Sequence, residues 1–483
     1  NQAEANANIL TQQKPDFNIH KIYFDAYKQE STASGNRYPD VRKAIDNILN
    51  NGVMLMNYIG HGGEGGLAAE RVLTVDDINN WNNTHLPIIF TATCSFSRWD
   101  DPLVRSAGEL LLKKEKHGAI ALFSTTRIVF ASYNFDLNQS FLIALSQAAA
   151  QNKKISFGEV FRLAKNNNIG GLNINSRNFT LLGDPSTLFP IPNNKVNTLS
   201  VNDKAISNLD TLKALQKVKI TGQVVAPNQA VLNSFNGTIY PVIYDKATAV
   251  TTLGQDPGLF GSIPQVFKTQ TNIIYKGKAS VRNGQFSFEF IVPKDINLQF
   301  GEGKISYYAE NQQIDATGNL SNIIVGGLAD TQNNDNLGPT IDIFLNDEKF
   351  VSGGITNSSP FLLVNLSDES GINTTGIGIG HDIVATLSYN NQNTSIILND
   401  WYQAKTDSYQ SGSIKYPLEN LKAGVYTLKL KAWDTFNNSS EQSITFEVKN
   451  SEKLEIARVL NYPNPFTTKT NFQFEHNHPN EDL

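Results

Sequence analysis

The chain has 483 residues, with 40 basic and 45 acidic side chains and a net charge of −5 at pH 7. It is too long for one core, which predicts roughly two to four domains, and it lacks the basic field that nucleic-acid binding requires. Its single cysteine excludes an internal disulfide framework, and no apolar run reaches the roughly 18 residues of a membrane-spanning helix. Because it begins at Asn1 without an initiator methionine, we expect a processed or partial product.

Helix and strand patterns alternate over residues 1–192. The spacing of apolar residues predicts helices over 4–12, 39–49, from Thr74, after Pro102, over 140–151 and over 156–166, and strands over 20–26, 53–59, 86–93 and 118–124. Thr74 begins a capping box, so the two aspartates that follow it are predicted to be helix-start charges. Regular alternation of this kind predicts a doubly wound α/β domain.

Two of the predicted strands run directly into reactive side chains. Residues 53–59 are followed by a histidine bracketed by glycines, His61, and residues 86–93 end on Cys94. Because the carboxyl ends of parallel strands face one crevice, we expect both side chains to meet there. An imidazole that takes the thiol proton makes the thiol a nucleophile, and the N–H groups of Gly62 and Cys94 are candidates for holding an oxyanion. The alternative is that Cys94 is a small core residue.

Polar residues beyond the strand ends are candidates for substrate contact, with an ordinary surface loop as the alternative. These candidates are Arg98, Trp99, Asp100, Ser124 and Thr125. Glu64 and Glu70 lie close enough to His61 in sequence to orient it, although Glu70 and Arg71 equally suggest an ion pair. The histidines lack partners at zinc-ligand spacing, so we predict no zinc site, and we predict no cofactor. Calcium in loops such as 368–373 is left as an alternative, although Asp-Glu-Ser-Gly is far short of a ligand signature.

The helical periodicity fades near residues 190–194. Short segments of alternating apolar and polar residues, separated by turn residues, follow. They predict a β-sandwich domain over 195–330 and a second one, immunoglobulin-like, over 335–450. A stretch rich in Asn and Asp, 330–338, is the expected linker. The clearest strand patterns lie at 217–225, 237–244, 285–292, 304–310 and 424–434.

Three segments resemble the gingipain family of cysteine peptidases: residues 57–62 around His61, 86–94 ending on Cys94, and 182–186. The separation 94 − 61 = 33 also fits that family. The resemblance implies a caspase-like fold, of which residues 1–192 are the C-terminal part, followed by an immunoglobulin-like domain. Within the family, residues 62–68 and 98–102 are most similar to sortases of the type IX secretion system.

The reaction implied by this resemblance is removal of C-terminal signals from exported proteins through a Cys94–His61 thioester, with transfer to an amine of lipopolysaccharide at the outer-membrane surface. Implied partners are cargo proteins with C-terminal sorting domains, an outer-membrane β-barrel docking protein and the lipopolysaccharide acceptor. Residues 460–466 resemble the opening of a sorting domain, predicted over 455–483. The alternatives are a secreted gingipain-like endopeptidase and a non-catalytic surface adhesin or assembly scaffold.

The chain also departs from the gingipain pattern. In that family the acidic partner of the histidine and the acid of the specificity pocket lie upstream of the segment that residues 4–12 resemble, and neither position is present here. We therefore expect the remaining N-terminal part of the same protein as a partner. The residues after Cys94 differ from those of the Arg- and Lys-specific members, so a preference for basic side chains is not implied.

Overall fold

The computed structural model describes residues 2–168, 171, 173–256, 261–330, 335–375, 380–449 and 456–476. The chain divides into two compact units. The first comprises Asn1–Asn194 and Ala247–Gln270, and the second comprises Lys195–Lys246 and Thr271–Leu483. Across the described residues, every helix is too short or too polar to cross a membrane.

The first unit alternates helices with short strands. Its helices are α1 (Gln2–Gln13), α2 (Pro39–Asn51), α3 (Val75–Asn80), α4 (Ala107–Lys113), α5 (Ala131–Ala150), α6 (Phe157–Asn166) and α7 (Ile174–Asn178). Its strands, apart from a later hairpin, are β1 (Glu30–Thr32), β2 (Gly35–Arg37), β3 (Leu55–Ile59), β4 (Gly62–Gly63), β5 (Gly66–Leu67), β6 (Leu73–Thr74), β7 (Ile88–Ala92), β8 (Ala121–Thr125) and β9 (Phe179–Leu182).

The central sheet has the order β3-β7-β8-β9. The first three strands are parallel and β9 is antiparallel to β8. Successive residues of β7 enter different cores: Phe90 packs in the core that contains α5 and α6, and Ile89 packs in the core that contains α2 and α4. Helices therefore cover both faces, as the α/β prediction for this region required. The antiparallel strand β9 was not predicted.

The start of α3 follows the predicted capping chemistry. Thr74 Oγ1 accepts from the Asp77 N–H at 3.3 Å, and the Asp77 carboxylate accepts from the Thr74 N–H at 2.8 Å. Asp77 also pairs with Arg42. These bonds explain why Asp77 is a buried helix-start residue.

Two predictions of local structure in this unit are wrong. Residues 20–26 do not form a strand: Phe24–Ala26 is a short 3-10 helix. Helix α5 begins at Ala131, nine residues before the predicted start (140 − 131 = 9). Its first turns bury Asn134 and Asn138, whose amides bond to partners from other elements. Buried polar side chains concealed the apolar periodicity.

The strands that follow lie between Asn194 and Leu328. They are β10 (Asn194–Val201), β11 (Lys204–Ala205), β12 (Leu212–Ala214), β13 (Lys217–Val225), β14 (Gly237–Tyr244), β15 (Thr248–Thr251), β16 (Val266–Thr269), β17 (Ile273–Lys276), β18 (Ala279–Arg282), β19 (Gln285–Ile291), β20 (Gly301–Glu310) and β21 (Asp315–Leu328). All except β15 and β16 join one sheet, in which β21 pairs back with β10. The sheet closes on itself around a single core, whereas the sequence predicted a β-sandwich. Both arrangements have the same inward–outward alternation, so the pattern does not distinguish them.

The hairpin β15–β16 groups with the first unit. The Asp25 carboxylate accepts from the N–H groups of Gly254 and Gln255 at 2.8 and 3.0 Å. Tyr23 and Phe267 pack edge to face with ring centroids 4.7 Å apart. These long-range contacts hold residues 21–29 in an irregular path, which explains why the strand predicted there does not form.

The second unit continues with β22 (Thr340–Leu345), β23 (Gly354–Thr356), β24 (Phe361–Ser367), β25 (Val384–Tyr389), β26 (Gln392–Ile397), β27 (Tyr402–Ala404), β28 (Ser411–Pro417), β29 (Gly424–Trp433) and β30 (Ser439–Val448). Two sheets, β22-β24-β28-β27 and β23-β30-β29-β25-β26, share one core. This arrangement is a β-sandwich, and its immunoglobulin-like character stays a prediction. A last hairpin joins β31 (Ile456–Tyr462) and β32 (Asn471–His476). Parts of the predicted linker and sorting domain, 331–334, 455 and 477–483, lie outside the described residues.

Candidate active site

Strand register places His61 and Cys94 at the same level of the sheet. In the parallel pair β3–β7, Ile59 lies opposite Ala92, and each reactive residue follows its strand by two positions (59 + 2 = 61, 92 + 2 = 94). Neighbouring strands lie about 4.8 Å apart, and the Gly60 N–H continues the pairing to the Ala92 carbonyl at 3.3 Å. The two residues therefore emerge side by side at the carboxyl edge of the sheet.

The glycine after the histidine lies directly against the residue before the cysteine. A methyl group at Gly62 would lie 2.6 Å from Thr93 Oγ1, so no side chain fits there. Gly62 opposes Leu67 in the hairpin β4–β5, and the neighbouring position is bonded because the Ala68 N–H donates to the His61 carbonyl at 2.9 Å. Since bonded positions alternate in an antiparallel ladder, the Gly62 N–H points away from the hairpin.

The cysteine lies on a strained turn that other residues hold in place. Ser95, which follows it, has a φ of 48°, a left-handed conformation that costs a non-glycine residue about 1 kcal/mol or more. The Ser95 N–H donates to the Arg127 carbonyl at 3.1 Å, and Thr125 Oγ1 donates to the Thr93 carbonyl. Cys94 Sγ donates to the Val129 carbonyl at 3.6 Å. The thiol is thus directed at the segment that follows β8.

Tyr58 holds the backbone of His61 in place, because its hydroxyl donates to the His61 carbonyl at 2.6 Å. Burial, followed by the negative charge of Glu70, raises the pKa of Tyr58 above its usual value, so the phenol keeps its proton. The strand itself is tied to α5 by reciprocal amide bonds between Asn57 and Asn138, at 3.1 and 2.8 Å. The imidazole of His61 is exposed and forms no hydrogen bond with any described residue.

Ion pairs connect the loop after Cys94 to both of its neighbours. Arg98 bonds to Glu64 of the histidine loop at 2.9 Å and contacts Asp101 at 3.4 Å. On the other side Asp100 forms two bonds to Arg127, at 2.9 and 2.6 Å. The Arg127 guanidinium holds the pKa of Asp100 below its usual value. Glu64 is thereby engaged by Arg98, and the sequence did not indicate this pair.

The predicted substrate-contact residues separate into three groups. Ser124 and Thr125 are fully buried in β8, where Ser124 Oγ accepts from Thr91 at 2.7 Å; the prediction that they contact substrate is wrong, because strand β8 extends further than expected. Arg98 and Asp100 are held in ion pairs. Trp99 is 55% exposed and is the member of the set whose side chain is free to meet a ligand.

A cavity of about 740 Å³ opens beside the histidine. Its walls come from residues between His61 and Asp76, which include four glycines and two alanines, and its charged members are Arg71 and Asp76. Among the described residues, the one cluster of acidic groups able to hold a metal ion lies in the second unit, where carboxylate oxygens of Asp335, Asp368 and Asp434 lie within 4.8 Å of one another.

The sequence of residues 1–189 matches the model of peptidase family C25. Among solved structures, dimeric latent PorU from Porphyromonas gingivalis is 29% identical over 94% of this chain and 40% of that one, with a TM-score of 0.35. The Arg-specific cysteine proteinase gingipain R (RgpB) is 18% identical over 67% of this chain and 62% of that one, with a TM-score of 0.34. The complex of Porphyromonas gingivalis RgpB pro- and mature domains is 17% identical over 67% of this chain and 63% of that one, with a TM-score of 0.33.

The chain spans less than two thirds of each of these structures, and no curated protein sequence matches it. The family match includes the whole central sheet, with β3 leading to His61 and β7 leading to Cys94. Residues 1–189 therefore match the model of peptidase family C25, and the match includes all three segments that resemble gingipain-family cysteine peptidases.

Proposed function

We propose that this chain carries the Cys94–His61 dyad of a cell-surface sortase of the type IX secretion system. The observation that carries the proposal is the β3–β7 register, with Ile59 opposite Ala92, because it brings one histidine and the only cysteine of a domain that matches family C25 to adjacent strand ends. The residues that follow each of them supply the resemblance to sortases of this family.

In the first half-reaction Cys94 attacks the scissile carbonyl of an exported protein. His61 takes the thiol proton and gives it to the leaving amine, which departs with the C-terminal signal. The N–H groups of Gly62 and Cys94 stabilise the oxyanion, and a turn that is already strained in the resting protein pre-organises them. The Cys94 Sγ to Val129 bond is the resting position of the thiol, since catalytic hydrogen bonds often form only with substrate bound.

In the second half-reaction an amine of lipopolysaccharide attacks the thioester. His61 removes the amine proton, the C–S bond breaks as the C–N bond forms, and the proton returns to the sulfur. The proposed partners are cargo proteins with C-terminal sorting domains, an outer-membrane docking protein, the acceptor and the remaining N-terminal part of the same protein. Residues 460–466, at the end of β31 and just after it, support a relation to such cargo through their resemblance to a sorting domain.

A gingipain-like endopeptidase is the second candidate. The family match favours it, because C25 proteins are cysteine peptidases, and the same dyad activates water as readily as an amine. The two candidates differ only in what resolves the thioester.

The test uses the complete protein, a cargo with its C-terminal signal, and a soluble amine. Mass spectrometry of the new cargo end should show an amine-linked product with the wild type and none with Cys94→Ala. A free carboxyl end under all conditions would identify a peptidase. Processing by Cys94→Ala at the wild-type rate would support the scaffold alternative.

A further inference from the structure

Two of the glycines that line the cavity beside His61 have open space around them. Gly63 and Gly65 line it, and a Cβ atom added at either position would meet no atom within 4 Å outside its chain neighbours. Neither residue has a positive φ, so neither backbone conformation nor packing requires glycine there. Gly66, by contrast, has a φ of 142° and lies against the Leu73 carbonyl. The small residues at 63 and 65 leave a space that side chains would fill.

The two charged residues of this cavity do not neutralise each other. Arg71 and Asp76 are exposed, and neither forms an ion pair or a side-chain hydrogen bond with any residue in the described ranges. Arg71 has a φ of 53° on the turn that the bond from its N–H to the Ala68 carbonyl closes at 3.2 Å. A guanidinium on a defined turn is suited to bidentate binding of a phosphate or carboxylate.

The position of the cavity relates it to the second half-reaction, in which the acceptor amine attacks the thioester. Its described walls come from the His61 side, and the loop that follows Cys94 supplies none of them. The amine that attacks the thioester must approach the imidazole, which serves as its base. The volume of the cavity, about 740 Å³, lies in the range of small-molecule sites, roughly 300–1,000 Å³. It is far larger than the volume of one amino-acid side chain.

We propose that this cavity binds the acceptor of the transfer reaction, an amine that carries an anionic group, with the anion on Arg71 and the amine between Asp76 and His61. The inference rests on the sortase function proposed above. Asp76 attracts the ammonium form, which releases one proton to water before attack. His61 then takes a second proton from the attacking amine as the C–N bond forms and the Cys94 thioester C–S bond breaks, and it passes that proton to the sulfur.

The test compares two amines that differ only in the anionic group, ethanolamine and O-phosphoethanolamine, with the complete protein and a signal-bearing cargo. The readout is the ratio of amine-linked to free carboxyl product by mass spectrometry, at fixed ionic strength. The wild type should favour O-phosphoethanolamine by about tenfold, the effect of one charge-assisted bidentate contact. Arg71→Gln should abolish this preference, and the matched control Arg105→Gln, an exposed arginine outside the cavity, should retain it.

A second variant tests the space itself. Gly65→Leu adds a side chain to the cavity lining at a position where a Cβ atom meets nothing within 4 Å, so it should lower the amine-linked fraction for both amines. Equal use of the two amines by the wild type, or a preference that survives in Arg71→Gln, overturns the cavity assignment alone. If Arg71→Gln cleaves cargo more slowly but keeps the amine preference, the cavity binds the leaving peptide, and this result also overturns the assignment of the cavity to the acceptor. Absence of cleavage, or a free carboxyl end with every amine, overturns the proposed sortase function as well.

Discussion

Replacing Arg98 by methionine should slow cargo cleavage by the complete protein only moderately, because the arginine connects two loops and does not bind substrate. Its guanidinium lies 2.9 Å from Glu64 of the histidine loop and 3.4 Å from Asp101. Methionine keeps the apolar stem and removes the charge. The side chains of Arg98 and Glu64 are 42% and 24% exposed, and ion pairs in such positions contribute about 0.2–1 kcal/mol. The expected loss in kcat/KM is therefore about two- to fivefold.

A double-mutant cycle isolates the connection between the loops. Glu64→Gln should have a similar effect to Arg98→Met, and the double variant should be little worse than either. High salt, about 1 M, should bring the wild type towards the variants because it screens exposed pairs. Additive losses would contradict the loop connection. A loss greater than about thirtyfold in Arg98→Met with a silent Glu64→Gln would instead show that Arg98 contacts substrate directly.

Two further predictions concern the histidine backbone and the acidic cluster. Tyr58→Phe removes the hydroxyl that fixes the His61 carbonyl, a bond of about 1 kcal/mol, so cargo cleavage should show a roughly fivefold lower kcat with KM unchanged; a changed KM and an unchanged kcat would contradict this role. Burial, followed by the charges of Asp434 and Asp335, raises the pKa of Asp368 to about 6. The folded state therefore prefers the protonated acid, and this group adds stability as pH falls through about 6 towards its unfolded pKa near 4. Asp368→Asn should accordingly raise Tm at pH 7.5, and the gain should vanish near pH 4; equal gains at both values would refute the argument.

Local sequence patterns predicted the secondary structure correctly in segments whose tertiary neighbours did not alter their conformational preference. Strands β13 and β14 have the bounds that the alternation predicts, and α3 begins at its predicted cap. The two apolar strands before His61 and Cys94 pair in parallel, as their composition indicated. Burial of one face gives an alternation of apolar and polar residues, and burial of both faces gives a continuous apolar run, and both are visible in the sequence.

Features that depend on distant residues were not predictable in this way. The irregular path around Asp25 depends on N–H groups more than two hundred residues away, and the closure of the second unit's sheet depends on pairing between β10 and β21. At the candidate site, the Glu64–Arg98 pair and the Val129 carbonyl join segments that no spacing rule connects. Such contacts follow from tertiary structure, which overrides local preference.

Intact-mass spectrometry of the complete protein during cargo turnover is the sharpest test of whether Cys94 is a nucleophile with His61 as its base. We expect a covalent adduct with the mass of the processed cargo, located on the Cys94 peptide, released by hydroxylamine and absent from Cys94→Ala. In His61→Ala the adduct should form far more slowly. Cargo processing at the wild-type rate by Cys94→Ala, with no adduct on the wild type, would show that Cys94 is not the nucleophile.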